Sequence, residues 1–251
     1  MTEPDRRKPR APKRMIAGDY PIDTGIATIV ADPARDGGYT IEVNNVPSSY
    51  IVLGAPEVLN FDYMEWMAQL IGAARLPEPF TAVHLGAAGC AFPSFVQQRW
   101  PSRNVAVEFD AGLAKLVRRV FDPPVEIRVA EARAFTHALA PGSVDVIVRD
   151  VFAGPHTPRP LTTVEFYRAA HRALTPKGLF LANIGDTAGL PTTREELAGL
   201  QEVFRHTAAV YASIGYGNVV VAASDAPLRI DVSVTTASGH ALAAGVSPRR
   251  D

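Results

Sequence analysis

Small residues and acidic side chains follow the short apolar runs of this sequence, at positions where a site for a small molecule would form. One run is followed by Gly86, Ala87, Ala88 and Gly89, and the next three are followed by the acids Glu108, Glu131 and Asp150. In an open parallel sheet ligands bind beyond the carboxyl ends of the strands, so these positions would surround one site. Small residues let the backbone approach a ligand at a helix N-terminus. Carboxylates there can bind sugar hydroxyls or take a proton from a nucleophile.

The interval between the small-residue turn and the first acid predicts a nucleoside site. Glu108 lies 22 residues beyond Gly86, and an acid about 20 residues beyond such a turn binds ribose hydroxyls in nucleotide-binding βαβ units. Each feature alone has an ordinary explanation, because small residues also allow close packing and loop acids are often solvated caps. Their combination at this spacing favours a nucleoside ligand.

The other two acids each have two interpretations. Glu131 is either an acid beside the nucleoside or a helix N-terminal acid that the helix dipole stabilises. Asp150 is either the cap of the next turn or a reactive carboxylate at the mouth of the pocket. Its position just beyond the run Val144–Arg149 favours the reactive carboxylate.

The sequence predicts neither a metal centre nor phosphoryl transfer. The six histidines show no H-x-x-x-H or H-E-x-x-H spacing, and no G-x-x-x-x-G-K-[ST] motif is present. The single cysteine, Cys90, excludes an internal disulfide and a cysteine-rich zinc site, and we interpret it as a small buried residue. This cysteine usage fits a cytoplasmic protein.

The elements that must position these residues alternate between strand and helix. Strands are predicted at 82–85, 105–107, 125–129, 144–148 and 179–184, and helices at 92–100, 111–121, 132–139, 163–174 and 194–204, the last two with capping boxes at Thr162/Glu165 and Thr193/Glu196. This order predicts an α/β, Rossmann-like fold with a mostly parallel sheet. Strands at 208–211 and 219–223 have no helix between them and predict an antiparallel edge. Before this sheet, the sequence predicts a small antiparallel β-unit, with strands at 26–30, 39–43 and 49–53, and then a helix over 60–74.

Charge and composition complete the predicted organisation: a disordered basic arm over 1–18, the β-unit over 19–58, the nucleoside-binding domain over 59–227 and a loosely ordered tail over 228–251. Residues 1–14 carry six basic and two acidic side chains and three prolines. The 251-residue chain has net charge −1 and no global basic field, so no nucleic-acid partner is expected. No apolar run approaches the roughly 20 residues of a membrane span, and no membrane partner is expected either.

In these motifs the chain resembles the spermidine synthase family of aminopropyltransferases, which have the class I methyltransferase fold. The resemblance runs from about residue 25 to residue 223 and is carried by the segments 59–65 (LNFDYME), 83–89 (VHLGAAG), 105–110 (VAVEFD), 131–133 (EAR), 145–150 (DVIVRD) and 161–167 (LTTVEFY).

This resemblance implies a transferase that binds decarboxylated S-adenosylmethionine, or a related adenosyl sulfonium, and transfers its aminopropyl group to a small amine. It implies that Gly86 to Gly89 lie against the aminopropyl or aminoacyl part and that Glu108 binds the ribose. Glu131, with Ala132, is implied near the adenine. Asp150 is implied as the catalytic acid-base group and Tyr63 as a hydroxyl that orients it. Members of the family often form dimers, so a homodimer is expected, without a metal.

Four positions depart from the family pattern, and they keep two other functions open. The turn has Ala87 and Ala88 and no acid, Ala153 stands where a second aspartate is common, Met64 replaces a histidine, and only Ser48 and Ser49 follow the early hairpin, where a glutamine is usual. The first alternative is an S-adenosylmethionine-dependent methyltransferase acting on a small nucleophile. The second is a catalytically degenerate nucleoside-binding domain. Intact S-adenosylmethionine would bring a carboxylate that needs hydrogen-bond donors or a cation. Arg149 is the nearby candidate for the cation, although strand alternation predicts that it points away from Asp150.

Overall fold

Two β-sheets organise the computed structural model, which describes residues 16–212, 216–230, 235–238 and 246–251. A four-stranded antiparallel sheet comes first in the chain, and an eight-stranded mixed sheet follows it. Most of the predicted basic arm, residues 1–15, lies outside the described residues. Within the described ranges, no helix has the length and apolarity needed to cross a bilayer.

The N-terminal sheet is a meander of β1 (Gly18–Ile22), β2 (Gly25–Ala31), β3 (Gly38–Val43) and β4 (Val46–Val52). The last three strands were predicted, and β1 was not, because its sequence GDYPI contains glycine, aspartate and proline, which are depleted in strands. Among the described strands it lies at the edge of the sheet and pairs with β2, and a proline is tolerated at such an edge. One face of this sheet is buried through Ala27, Ile29 and Ile41.

The large sheet has the strand order β12-β10-β11-β9-β8-β5-β6-β7. Its elements are α1 (Asp62–Ala73), β5 (Phe80–Leu85), α2 (Ala91–Arg99), β6 (Ser102–Glu108), α3 (Ala111–Val120), β7 (Glu126–Val129), α4 (Ala132–Ala138), β8 (Val144–Arg149), a 3-10 turn (Arg159–Leu161), α5 (Val164–Ala173), β9 (Leu174–Thr187), α6 (Pro191–Gln201), β10 (His206–Tyr211), β11 (Tyr216–Ser224) and β12 (Thr235–Ser238). The strands from β9 to β7 are parallel, and β11, β10 and β12 are antiparallel additions. The predicted α/β fold with an antiparallel edge and an N-terminal β-unit is confirmed.

Helices cover both faces of this sheet, which explains why its central strands are apolar throughout. Helices α4, α5 and α6 pack on one face, and α1 and α2 pack on the other. Helix α3 lies between the large sheet and the buried face of the N-terminal sheet. All six residues of β8 are buried.

Both predicted capping boxes are wrong, because each helix begins at a different residue from the one that was expected. Helix α5 is capped by Thr163, whose Oγ1 accepts a hydrogen bond from the Phe166 N–H at 3.4 Å. Helix α6 begins at Pro191, so Thr193 lies inside its first turn and donates its hydroxyl hydrogen to Asp186.

The described parts of the C-terminal segment have definite partners, and the loosely ordered tail over 228–251 stays a prediction as a whole. Strand β12 pairs with β10. The carbonyl of Arg249 accepts a hydrogen bond from the Val164 N–H at 3.0 Å, at the start of α5. The carboxylate of Asp251 accepts one from the Thr163 hydroxyl at 2.9 Å. These contacts supply partners for the unpaired groups at a helix N-terminus, which a local periodicity argument does not detect.

Candidate active site

The predicted site residues lie together at the switch point of the large sheet. There the chain continues from β5 to β6 on one side and later returns to β8 on the other. Strand β5 pairs in parallel with β6 on one side and with β8 on the other. In open α/β sheets the ligand crevice lies beyond the carboxyl ends of the strands at such a switch point. Gly86 follows β5, Glu108 ends β6 and Asp150 follows β8, so the sheet topology brings all three to one edge.

Gly86 allows the loops after β5 and β8 to come into direct contact. Its φ is +86°, and a Cβ added to it would lie 2.1 Å from the carbonyl oxygen of Asp150. The two loops are held to neighbouring strands by backbone hydrogen bonds, from the Gly86 N–H to the Val107 carbonyl at 2.9 Å and from the Asp150 N–H to the Leu85 carbonyl at 2.8 Å. Glycine is therefore required at this position on steric grounds.

Gly89 is small for a different reason. A Cβ at this position would lie 2.6 Å from Ile51 Cδ1, 2.8 Å from Ile41 Cδ1 and 2.8 Å from Ser49 Cβ. All three belong to the N-terminal sheet, which packs directly on the turn. The glycine thus serves packing here, and its contact with a ligand stays a prediction.

Asp150 is held by hydrogen bonds to both of its carboxylate oxygens. The Tyr63 hydroxyl donates to Oδ2 at 2.9 Å, and the Asn183 side-chain amide donates to Oδ1 at 2.9 Å. Tyr63 comes from α1 and Asn183 from β9, so the carboxylate is fixed between two elements. The structure brings together the predicted pair Asp150 and Tyr63, and it adds Asn183, which sequence reasoning missed. A polar residue within the apolar run 179–184 was the signal that could have found it.

Burial and hydrogen bonding shift the pKa of the Asp150 carboxyl group in opposite directions. Burial raises the pKa of Asp150, while the hydrogen bonds from Asn183 and Tyr63 and the charge of Arg149 lower it, and the net shift is upward. Burial and the nearby carboxylate raise the pKa of Tyr63 well above its ordinary value, so this phenol remains a hydrogen-bond donor. A carboxyl group with a raised pKa is better suited to accept and return a proton near neutral pH than an ordinary aspartate.

Arg149 lies on the opposite face of β8 from this carboxylate, as strand alternation predicts. Its side chain is fully buried and forms an ion pair with Glu196 Oε2 at 2.7 Å. It also donates a hydrogen bond to the Leu161 carbonyl at 2.8 Å. The Tyr167 hydroxyl donates to the same Glu196 oxygen at 2.7 Å. Because this guanidinium is enclosed beneath the sheet, it cannot reach a ligand in the crevice.

Glu108 is hydrogen-bonded to the small-residue turn at Ala87 and Ala88, which precedes it by about 20 residues in the sequence. Its Oε2 accepts hydrogen bonds from the N–H groups of Ala87 and Ala88, at 3.3 and 3.1 Å, and its Oε1 accepts one from Asp110 N–H at 3.0 Å. Burial raises the pKa of Glu108 above its ordinary value, although these backbone donors oppose the shift. The predicted turn and acid are therefore adjacent.

Glu131 caps α4. Its carboxylate accepts hydrogen bonds from the N–H groups of Arg133 and Ala134, at 2.8 and 2.7 Å. This is the second of its two interpretations, the helix N-terminal acid. Its loop also adjoins Glu108, whose carbonyl accepts a hydrogen bond from the Ala130 N–H at 2.9 Å, and Ala132 is buried beside it. A contact of Glu131 or Ala132 with adenine stays a prediction.

The remaining candidates for chemistry are enclosed in the core. Cys90 is buried, and burial raises the pKa of its thiol to about 12. His84 is also buried, with Nε2 2.8 Å from Asn104 Oδ1, and burial lowers its pKa to about 4. Neither group is poised as a nucleophile or base. Among the described residues, no three His, Cys, Asp or Glu side chains are grouped closely enough to hold a metal ion.

Comparison with solved structures decides the family. A probable spermidine synthase from Corynebacterium glutamicum is 36% identical to this chain and superposes on it with a TM-score of 0.87, over 94% of this chain and 96% of that one. This chain belongs to the spermidine synthase family.

Two further comparisons concern a curated relative in sequence and a solved structure of the same fold. The polyamine aminopropyltransferase of Chromobacterium violaceum is 28% identical over 151 residues, and the match spans 58% of this chain and 57% of that relative. The human methyltransferase-like protein 13, solved in complex with SAH, is 22% identical with a TM-score of 0.57, over 69% of this chain and 86% of that one, and shares the fold. No family model matches the chain.

Two of the positions that depart from the spermidine synthase pattern, Ser49 and Met64, are packed inside the structure, and a third, Ala153, is exposed in a loop. Ser49 is buried, on the sheet face that covers Gly89. Met64 is buried in the core between α1 and the large sheet. Ala153 lies in the loop after Asp150, where its N–H donates to the His156 carbonyl at 2.8 Å.

Proposed function

We propose that this protein is an aminopropyltransferase that binds decarboxylated S-adenosylmethionine, or a related adenosyl sulfonium, and transfers the aminopropyl group to a small amine. The observation that carries the proposal is the half-buried Asp150 carboxylate, held by Tyr63 and Asn183 at the switch point of the sheet. Family membership supports the same reaction.

The reaction needs a base beside the attacking amine. An alkylammonium has a pKa of about 10.4, by analogy with lysine, so the amine arrives protonated. Asp150 would bind this cation and accept one proton from it, which frees the nitrogen lone pair. The nitrogen then attacks the carbon next to the sulfonium, the carbon–sulfur bond breaks, and its electron pair stays on sulfur to give a neutral thioether. The product nitrogen keeps its two remaining protons as a secondary ammonium, and the proton taken up by Asp150 passes to solvent.

The nucleoside part would bind at the loops after β5 and β6. Glu108 already lies against the turn at Ala87 and Ala88, and its Oε1, which accepts one hydrogen bond from Asp110 N–H, can accept a further hydrogen bond from a ribose hydroxyl. We propose Gly86 to Gly89 as the backbone surface beside the sulfonium, and Glu131 with Ala132 as the adenine side. No metal enters this scheme.

The surroundings of Arg149 favour the decarboxylated cofactor. An intact methionine carboxylate would need a cation or hydrogen-bond donors in the crevice. Arg149 was the candidate cation, and its guanidinium is fully buried against Glu196 instead. The decarboxylated form lacks this carboxylate and does not need such a partner.

A thermal-shift titration with methylthioadenosine, S-adenosylmethionine and its decarboxylated form would test the ligand. A ligand at 100 times its dissociation constant stabilises the folded chain by about 2.7 kcal/mol. We expect the decarboxylated form to stabilise the protein more than the intact form. The reverse order would favour a methyltransferase, and no shift with any ligand would favour a degenerate domain.

The variant Asp150→Asn tests the base. It should keep its affinity for the nucleoside and lose aminopropyl transfer, measured by release of methylthioadenosine in the presence of small diamines. Asp122→Asn is a matched control, because Asp122 is exposed and asparagine readily adopts its left-handed backbone, with φ at +45°. An Asp150→Asn variant as active as the control would refute the proposed role. The homodimer that the resemblance implies stays a prediction, which light scattering on the full chain would check.

A further inference from the structure

Asn183 is a polar residue in a strand face that is otherwise apolar. It lies in β9, and its side chain is 2% exposed. Leu179 and Leu181 precede it on the same face, and both are buried in the core cluster under α1. Strand alternation places Asn183 next in this row, where a leucine or valine would be expected for packing alone.

Only half of the Asn183 amide has a partner. Its Nδ2 donates to Asp150 Oδ1 at 2.9 Å. Its Oδ1 is buried and accepts no hydrogen bond from any described residue. A buried acceptor without a donor is destabilising relative to an apolar side chain of similar shape. The fold therefore gains little from this asparagine, and the contact with Asp150 is what explains its presence.

We propose that Asn183 is a positioning residue for Asp150, which it holds in the charged form and in a fixed orientation for the incoming amine. This inference rests on the proposed function, in which Asp150 accepts the proton of that amine. Tyr63 holds the other oxygen from α1. With one donor on each oxygen, the carboxylate plane cannot rotate, and the remaining lone pairs are left for the ammonium group.

Every element packed around Asp150 contributes a defined group. Within the described residues, helix α1 supplies Tyr63, β9 supplies Asn183, and β5 supplies the Leu85 carbonyl, which accepts the Asp150 N–H. On β8 itself, Arg149 lowers the pKa of Asp150 through its charge, from the opposite face of the strand. Since burial alone raises the pKa of Asp150, removal of the Asn183 donor should raise it further.

The test is a carbon-detected NMR titration of the Asp150 carboxyl in the full chain, assigned with Asp150→Asn. In Asn183→Leu we expect the Asp150 titration to move to higher pH than in the natural sequence. Asn104→Leu is the matched control. Asn104 is also a buried asparagine of the same sheet, but its partners are His84, Gln97 and Ser102. The control should leave the Asp150 titration unchanged.

Stability separates positioning from a structural role. At a pH low enough to keep the Asp150 carboxyl neutral, Asn183→Leu should unfold at a denaturant concentration equal to or above that of the natural sequence, because it removes an unpaired acceptor, and a loss of stability should develop only as the pH rises and Asp150 becomes charged. Asn183→Ala, which cannot overfill the site, should move the Asp150 titration in the same direction. An unchanged Asp150 titration in both variants would overturn the proposal.

Kinetics then separate this inference from the proposed function. On the acid limb of the pH profile, kcat/KM for aminopropyl transfer should fall about tenfold in Asn183→Leu, the ratio expected for loss of one hydrogen bond to a charged group. The loss of kcat/KM in Asn183→Leu relative to the natural sequence should become smaller as the pH rises and Asp150 becomes fully charged. If the natural sequence transfers no aminopropyl group, the proposed function fails, while the NMR titration still decides whether Asn183 controls Asp150.

Discussion

Replacing Gly86 by alanine should damage both the fold and the candidate site, because the residue is in backbone contact with the loop that carries Asp150. The added Cβ would lie 2.1 Å from the Asp150 carbonyl oxygen and 2.8 Å from its carbonyl carbon. Both are backbone atoms, so no side chain can rotate to make room. The loop after β8 must move instead.

Two costs add up in this variant. The left-handed backbone, with φ at +86°, costs an alanine about 1–2 kcal/mol. Displacing packed backbone costs about 1–3 kcal/mol more, as in other overpacked sites. The free energy of unfolding should therefore fall by about 2–5 kcal/mol. A shift of the Asp150 carboxylate by about 1 Å would also reduce turnover roughly 100-fold.

Gly142→Ala is a control that shares the first cost and lacks the second. Gly142 has φ at +62°, and a Cβ there would meet no atom within 4 Å. Urea unfolding of both variants, followed by circular dichroism, gives each loss of stability. The difference between them isolates the contact with Asp150. If Gly86→Ala is as stable as Gly142→Ala and retains full transferase activity, the close approach of the two loops is refuted.

Three further predictions concern the nucleoside, the buried ion pair and a buried histidine. Glu108→Ala should weaken methylthioadenosine binding by about 1–3 kcal/mol in calorimetry, and an unchanged affinity would remove Glu108 from the site. Arg149→Met should cost about 3–5 kcal/mol of stability in urea, because it leaves the Glu196 charge buried and unpaired. Adding Glu196→Leu should recover most of this loss. A loss below about 1 kcal/mol in the single variant would contradict the buried pair. The pKa of His84 is lowered from 6.5 to about 4 in the folded chain, so the unfolded chain binds the proton first and stability should fall as the pH drops from 6.5 towards 4. His84→Gln should flatten this dependence between pH 7 and pH 5, and equal slopes in both proteins would argue against a neutral buried imidazole.

The fold was largely predictable, since apolar periodicity and the alternation of strand with helix are local properties of the chain. The elements that were missed or misplaced depended on distant partners. Strand β1 forms because β2 offers it an edge. At the start of α5 two adjacent threonines can both act as caps, and only the backbone of Thr163, with φ −93° and ψ 155°, is extended and ready to do so.

The candidate site was predictable in its residue types and incomplete in its contacts. Glu108 and Asp150 were named because acids follow the apolar runs of the chain, and Tyr63 was named because the family resemblance implies it. Asn183 was missed because it lies 33 residues from Asp150, and only the pairing of β8 with β9 makes them neighbours. The structure also showed what the Glu131 carboxylate binds, the N-terminus of α4.

By itself, the sequence determined the order of strands and helices, the small turn at Gly86 and the acids that end the parallel strands. These follow from side-chain size, charge and periodicity, which are encoded residue by residue. Only the tertiary structure decided that Tyr63 and Asn183 both donate hydrogen bonds to Asp150. It also decided that Arg149 forms a buried ion pair with Glu196 on the other face of β8. Strand register and burial create these contacts, and the desolvation that raises the pKa of Asp150 exists only when the whole sheet and its helices have packed around it.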